Sequence, residues 1–384
     1  MLRTGLLLSA IIGFAAAAPA ARAQDVRVAV IATLSGPAAA LGEQIRDGFA
    51  LAVAQLGGKL GGRKADVTVL DDQLKPDVAV TKIRGLMASA KQDFVVGPVF
   101  SVVMAAIVRP VTRGGAFLIS PNAGLSTYAG KDCNKDVFVT SYQNDQPHSV
   151  SGQFAAEQGY KSAFIIAPDY QAGRDALNGF KSRFKGKIAA EDYVPLNQMD
   201  MQSEIARIAA AKPDVVFVFL PGGLGINFVK QYHQAGLKIP VLSTFTVDES
   251  TLPAEGDAAI GFYSGTNWAP NMDNPASLAF VKAFEAKYGH VPGTYAAQAF
   301  DTAMLIDSAV RAAGLDHTKL RAALERADFT SVRGAFKFGV NHYPIQDFYL
   351  AQVAKRPDGK LQTEIRKKVL TANVDSYAAA CHMK

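Results

Sequence analysis

The strongest metal and nucleophile candidates in the chain are six histidines, His148, His233, His290, His317, His342 and His382, and two cysteines, Cys133 and Cys381. Their spacing supports neither chemistry. No HExxH, no CxxC pair, no G-x-S-x-G elbow, no phosphate loop of the G-x4-G-K-[ST] kind and no EF-hand run occurs. Each histidine therefore reads as a surface or capping residue, and no enzyme activity, metal or cofactor is expected. One stretch argues the other way. Gly223-Leu224-Gly225-Ile226-Asn227-Phe228 follows the apolar run Val215 to Leu220, opens a helical pattern and precedes Asp248 by roughly twenty residues, as a dinucleotide-binding turn would. Phe228 stands where that motif needs its third glycine, so a plain tight turn with amides at a helix start is the preferred reading.

The remaining pattern suits binding more than bond making. Ser35-Gly36-Pro37, Gly97-Pro98-Val99-Phe100-Ser101, Ser120-Pro121-Asn122-Ala123-Gly124 and Pro221-Gly222-Gly223 place small or hydroxyl residues where strands end and helices begin. At the carboxyl ends of a parallel sheet, free N–H groups and Ser, Thr or Asn side chains form a cradle for a small anion such as a carboxylate. The alternative is that Ser101 and Asn122 are only helix caps.

Such ends need a sheet to present them, and the chain alternates short β-branched runs with amphipathic stretches, the pattern of a parallel sheet between helices. Strands are predicted at Val26 to Thr33, Ala65 to Asp71, Phe94 to Val96 and Ala116 to Ile119, with helices at Gly42 to Leu56, Pro76 to Ala90 and Ser101 to Arg113. A second series follows, with strands Ala163 to Ala167, Ile188 to Val194, Val215 to Leu220 and Val241 to Thr244. Its helices are Gln146 to Gln158, Arg174 to Phe184, Gln202 to Ala211 and Leu224 to Ala235. Helices at Ala276 to Tyr288, Thr294 to Ala313 and Lys319 to Arg326 then precede a β-rich tail from Ala335. Helices without strands of their own must pack elsewhere, so this segment is expected to return to the first lobe and make the chain cross between lobes several times.

With 384 residues, 49% hydrophobic and 19% charged, the chain can build two sizeable lobes and is not disordered. Its 40 Lys and Arg against 34 Asp and Glu give +6, spread evenly, so nucleic acid is not an expected partner. The start is different. Met1-Leu2-Arg3, the apolar run Leu6 to Ala18 and Ala21-Arg22-Ala23 have the anatomy of a secretory signal peptide, and cleavage after Ala23 would leave 361 residues at +4. The apolar run is too short to span a bilayer, and no Cys lies at the cleavage site, so a soluble exported protein without a lipid anchor is expected. In an oxidising compartment Cys133 and Cys381 can pair only with each other; two unrelated thiols are the alternative.

Leu34-Ser35-Gly36-Pro37 with Gly42, the turn Gly57-Gly58-Lys59-Leu60-Gly61-Gly62-Arg63-Lys64, Asp71-Asp72 followed by Pro76, and Gly97-Pro98 resemble the periplasmic binding proteins of ABC transporters. The likeness is to the leucine/isoleucine/valine-binding type, extends over residues 25 to 370, and implies a type I periplasmic-binding fold, α/β, with two Rossmann-like lobes on a three-strand hinge. It places lobe 1 at 24–143 plus 268–347 and lobe 2 at 144–267 plus 348–384, after a signal peptide at 1–23. It implies a carboxylate held by Ser101, Asn122, Ala123 and Gly124, with aromatic walls at Tyr170 and Tyr295. Leu41, Phe100, Asn144, Gly222, Thr244 and Phe245 complete the expected ligand site, although each Phe can equally be ordinary core.

One departure shapes the expected ligand. Amino-acid binders of this type pair the ligand's ammonium with an acid near the strand end where this chain has Ser243-Thr244-Phe245-Thr246, and the first acid afterwards is Asp248. A buried ammonium without a carboxylate partner is costly, so the ligand is expected to keep its carboxylate and lack the amine. Relatives in this branch bind benzoate and hydroxybenzoates, and the resemblance therefore implies an aromatic acid captured in the periplasm for an inner-membrane permease and its ATPase subunits. A monomer is expected. The competing readings are a hydrophobic amino-acid binder, a ligand sensor acting through a membrane partner and an exported nucleotide-dependent oxidoreductase.

Overall fold

The computed structural model describes residues 24–383, so the expected leader and its cleavage site lie outside the described residues. The run Val26–Ala32 is apolar on both faces and buried almost throughout, as the centre of a parallel sheet requires. It pairs in parallel with Arg63–Asp71 on one side and Phe94–Val96 on the other, with Val28 opposite Phe94. Phe117–Ser120 and Val137–Val139 extend the sheet in parallel, and Lys59–Leu60 closes the far edge antiparallel to Arg63–Asp71.

The second sheet runs Lys337–Phe338, Pro344–Lys355, Tyr263–Thr266, Val241–Ser243, Val215–Val218, Ser162–Pro168 and Lys187–Val194, with Leu361–Asn373 also paired to Pro344–Lys355. Three of the strands, Lys59–Leu60, Val137–Val139 and Tyr263–Thr266, were not expected from the sequence pattern. They run from two to four residues, too short to show an apolar period, and depend on their neighbours for pairing. Two expected strands end early, at Val218 and Ser243, which frees Phe219 and Phe245 to turn out of the sheet.

The strandless last third does return to the first sheet. The Gly61 amide donates to Asp307 Oδ1 at 2.7 Å, Tyr288 OH to the Asp47 carbonyl at 3.0 Å and Arg321 to Asp136 at 2.6 Å. The backbone consequently passes between the two sheets three times, and the passages meet in a buried hub. There Asn267 Nδ2 (3.0 Å), Arg333 (3.2 Å) and Gln346 all donate to the Ser141 carbonyl. Arg333 pairs with Asp301 at 2.9 Å, the two side chains being 1% and 0% exposed.

Cys133 and Cys381 are joined by a disulfide, Cα to Cα 5.6 Å across a separation of 248 residues, so they are not two independent thiols. Two of the histidines correct the sequence reading, His148 and His342 being buried, while His233 and His382 are exposed as expected. His317 stacks on Phe117 at 4.3 Å and His342 on Phe138 at 4.0 Å, while His148 is buried. A neutral imidazole presents an aromatic face that packs against apolar rings, so sequence isolation alone does not send a histidine to the surface. No helix among the described residues is long and apolar enough to cross a membrane.

Candidate functional site

In both sheets the loops at the carboxyl ends of the parallel strands lead to one narrow cavity between the sheets, about 20 Å³ in volume. This is where open α/β sheets place their ligands. From the first sheet's side come Leu41, Phe100, Ser101, Asn122 and Ala123; from the other come Asn144, Tyr170 and Phe245, with Tyr295 from the returning helix. The two sides touch directly, since the Gly223 amide donates to the Pro37 carbonyl at 3.0 Å.

Ser101 opens the helix Ser101–Arg113, whose cap position is Phe100 with no side-chain cap. Ser101 is thus not a helix cap, and the first amides of that helix are left unbonded within it, as at any helix start. Its Oγ accepts from Asn144 Nδ2 at 3.4 Å, which leaves the hydroxyl proton available. Asn122 is fixed from both ends, donating to the Val99 carbonyl at 2.6 Å and accepting from Tyr142 OH at 2.7 Å. Together these groups form a rigid rim of neutral donors.

Aromatic rings make the rest of the wall. Phe100 lies 6.4 Å from Tyr170, Tyr170 6.5 Å from Phe219, and Phe245 stacks on Tyr142 at 5.0 Å and tilts to Tyr295 at 6.0 Å. Phe245 holds this place with φ of 55°, a left-handed conformation that a bulky residue adopts only under constraint. Burial pushes the Tyr142, Tyr170 and Tyr295 phenols upward, so all three stay protonated, the Tyr142 proton being already given to Asn122.

No Asp, Glu, Lys or Arg lines the cavity. Asp175, beside it, is engaged by Ser126 Oγ at 2.9 Å, Asn144 at 3.0 Å and Gln171 at 2.8 Å. Asp248 accepts from the Ser250 amide at 2.8 Å and hydroxyl at 2.6 Å and from the Thr294 amide at 3.3 Å. Neither carboxylate is turned toward an incoming ammonium group. Among the described residues no cluster of His, Cys, Asp and Glu could hold a metal ion.

Three expected residues fall outside the lining. The Gly124 amide is bonded to Asn144 Oδ1 at 3.1 Å, and a Cβ there would lie 1.9 Å from the Tyr142 carbonyl. Thr244 is enclosed, its hydroxyl 3.3 Å from Ser151 Oγ. Gly222 caps the helix Gly223–Gln234 at φ of 66° and packs against Ala38, while its neighbour Pro221 reaches the cavity. Sequence reasoning missed Val99, Tyr142, His148, Ala172, Phe219 and Pro221 in the lining. No sequence signal marked Phe219, because the early end of the Val215–Val218 strand shows only in the folded chain.

His148 is held neutral, burial pushing its imidazole down to about 3. Because the folded value lies below the unfolded one of about 6.5, its contribution is whole above that pH and is lost as pH falls toward 3. The difference in unfolding free energy between wild type and His148→Phe is expected to shrink by up to about 1.4 kcal/mol per unit below pH 6.5. Denaturant titrations at pH 4.5, 5.5 and 7.5 check this, and parallel curves for the two proteins would refute it.

The family model for periplasmic binding proteins matches residues 25–360. The chain is 28% identical over 369 residues to Leu/Ile/Val-binding protein homolog 6 of Brucella melitensis biotype 1, covering 92% of this chain and 94% of the relative. It is also similar to two solved ABC-transporter solute-binding proteins. One, from R. palustris, was solved in complex with benzoate: 34% identity, TM-score 0.88, covering 93% of this chain and 99% of that one. The other, from Rhodopseudomonas palustris BisB5, was solved with 3,4-dihydroxybenzoic acid: 28% identity, TM-score 0.85, covering 92% and 99%.

Proposed function

The chain belongs to the periplasmic binding protein family, and from that premise we propose that it captures a small aromatic carboxylic acid, of benzoate or hydroxybenzoate type, for an ABC importer. The observation that carries this reading is a cavity walled by aromatic rings, rimmed by neutral donors and lined by no charged side chain. A carboxylate takes charge-assisted hydrogen bonds from neutral O–H and N–H groups, whereas an ammonium there has no anion to pair with. The ligands of the two similar structures, benzoate and 3,4-dihydroxybenzoic acid, support it.

Ser101 Oγ, the free amides at its helix start and the Asn122-Ala123 turn hold the carboxylate; Phe100, Tyr170, Phe245 and Tyr295 pack on the ring, and Leu41 closes one side. The lobes are residues 24–143 with 268–347 and 144–267 with 348–384, and Ser141, Asn267 and Gln346 of the hub stand beside those three boundaries. Closure of the lobes over the acid desolvates it and presents a joined surface to an inner-membrane permease with its ATPase subunits. The protein works as a monomer in the periplasm after removal of residues 1–23. No reaction is needed: the Gly223 amide that a nucleotide phosphate would require is bonded to Pro37.

A panel of benzoate, 4-hydroxybenzoate, hexanoate and leucine, read by thermal shift and calorimetry, tests the assignment. The aromatic acids are expected to stabilise the protein, by about 2.7 kcal/mol at a hundredfold excess over Kd. Ser101→Ala is expected to weaken every carboxylate about tenfold. Stabilisation by leucine alone, or unchanged affinity in Ser101→Ala, would overturn the reading.

A further inference from the structure

His148 is the group at the cavity that its own fold does not explain. It lies on the helix Asp145–Glu157, buried, with Phe219 at 4.8 Å, Phe217 at 5.9 Å and Phe245 at 6.1 Å, each presented at a steep angle to the imidazole. These three rings fix its orientation. Its Nδ1 is enclosed and has no hydrogen-bond partner, whereas Nε2 is not among the enclosed, unpartnered atoms, and the residue lines the cavity. Buried polar side-chain atoms are as a rule bonded, so an orphaned nitrogen beside a ligand cavity calls for an explanation.

The tautomer follows from the enclosure. A proton on Nδ1 would be a buried donor without an acceptor, and orphaned N–H groups are rarer than under-satisfied acceptors. The proton therefore belongs on Nε2, the nitrogen left facing the cavity. His148 stands four residues beyond Asn144, on the same face of the helix, and Asn144 reaches Ser101 at the carboxylate rim. Along the chain His148 thus lies about one helical turn beyond the residue that reaches that rim.

We propose that His148 is the specificity residue of this cavity: through its Nε2–H it donates to an oxygen substituent on the ring of the bound acid, so that hydroxylated aromatic acids are preferred over unsubstituted ones. This rests on the aromatic-acid reading above. Because the imidazole is neutral it does not compete with the rim for the carboxylate, and the two ends of the ligand are told apart by their chemistry.

The test is calorimetric affinity for benzoate, 4-methylbenzoate, 3-hydroxybenzoate and 4-hydroxybenzoate, measured with wild type, His148→Phe and His148→Asn. Wild type is expected to bind one hydroxybenzoate at least about fivefold more tightly than 4-methylbenzoate, which has similar bulk and no oxygen. His148→Phe should abolish that preference, bringing the affinity ratio of hydroxybenzoate to 4-methylbenzoate to near one, and His148→Asn, which keeps a donor and fills less space, should retain part of it. If neither variant folds, the imidazole 15N resonances of His148 in wild type decide the matter: they should shift with the preferred hydroxybenzoate and not with 4-methylbenzoate, and equal shifts with both overturn the inference. A wild-type preference below twofold, or one that survives in His148→Phe, overturns this inference and leaves the aromatic-acid reading standing. Failure of every aromatic acid to bind wild type overturns both.

Discussion

Asp301→Ala is expected to remove about 3–5 kcal/mol of stability and to lower the melting temperature by about 4–7 °C. Asp301 accepts from Ser331 Oγ at 2.5 Å, the Val332 amide at 2.9 Å and Arg333 Nε at 2.9 Å, all inside the protein. Without it the Arg333 cation is left buried and unpaired, and a guanidinium does not shed its proton to escape that cost. The loss does not stay local. Arg333 also donates to the Ser141 carbonyl at 3.2 Å and to Gln346 Oε1 at 2.9 Å, so the variant loosens the point where the three interlobe passages meet. Removing both charges, as Asp301→Leu with Arg333→Met, is expected to recover much of the stability, because well-packed apolar residues replace buried ion pairs at little net cost. Urea denaturation of the single and double variants separates these outcomes. A single-variant loss under 1 kcal/mol would show that the hub is not what holds the passages.

The alternation of strands and helices was legible from length and residue type: Val26–Ala32 is a short β-branched apolar run, and Thr294–Ala313 a twenty-residue stretch rich in alanine. Phe94–Val96 and Val241–Ser243 were legible although short, but Lys59–Leu60, Val137–Val139 and Tyr263–Thr266 were not; Tyr263–Thr266 is held by pairing with Val241–Ser243 and Pro344–Lys355. Much of the cavity could be read from strand ends, because a parallel sheet presents its ligand-facing loops at one edge. His148 could not. Both faces of its helix are buried, from Gln146 to Phe154, so periodicity does not reveal which face meets the cavity. Gly124 shows the opposite failure: its position promises a free amide, and only the folded chain reveals that Asn144 takes it. The missing acid at Ser243-Thr244-Phe245-Thr246 was readable from residue types alone, but that Asp248 does not supply it depends on Ser250 and Thr294 closing around that carboxylate.

Gly223→Val is expected to weaken ligand binding at least about a hundredfold while leaving the melting temperature of the unliganded protein within a few degrees of wild type. Gly223 is the first residue of the helix Gly223–Gln234 and faces the opposite lobe, where a Cβ would lie 2.7 Å from Pro37 Cβ and 3.2 Å from its carbonyl oxygen. Carbon atoms in contact prefer about 3.5–4.0 Å, so the lobes must back away. Pro37 cannot give by rotating, because its ring is part of the backbone and φ is fixed. Within its own lobe the substitution is mild, since valine has a higher helix propensity than glycine. The cost therefore falls on the closed arrangement, in which Gly223 meets Pro37 and the cavity is complete. Apparent affinity scales with the population of the binding-competent state, and disfavouring closure by about 3 kcal/mol is enough for a hundredfold loss. Small-angle scattering should show wild type contracting when an aromatic acid is added and the valine variant failing to contract at the same concentration. Wild-type affinity in Gly223→Val would mean that the ligand is held without the contact between Gly223 and Pro37, and that the closed arrangement is not the one that binds.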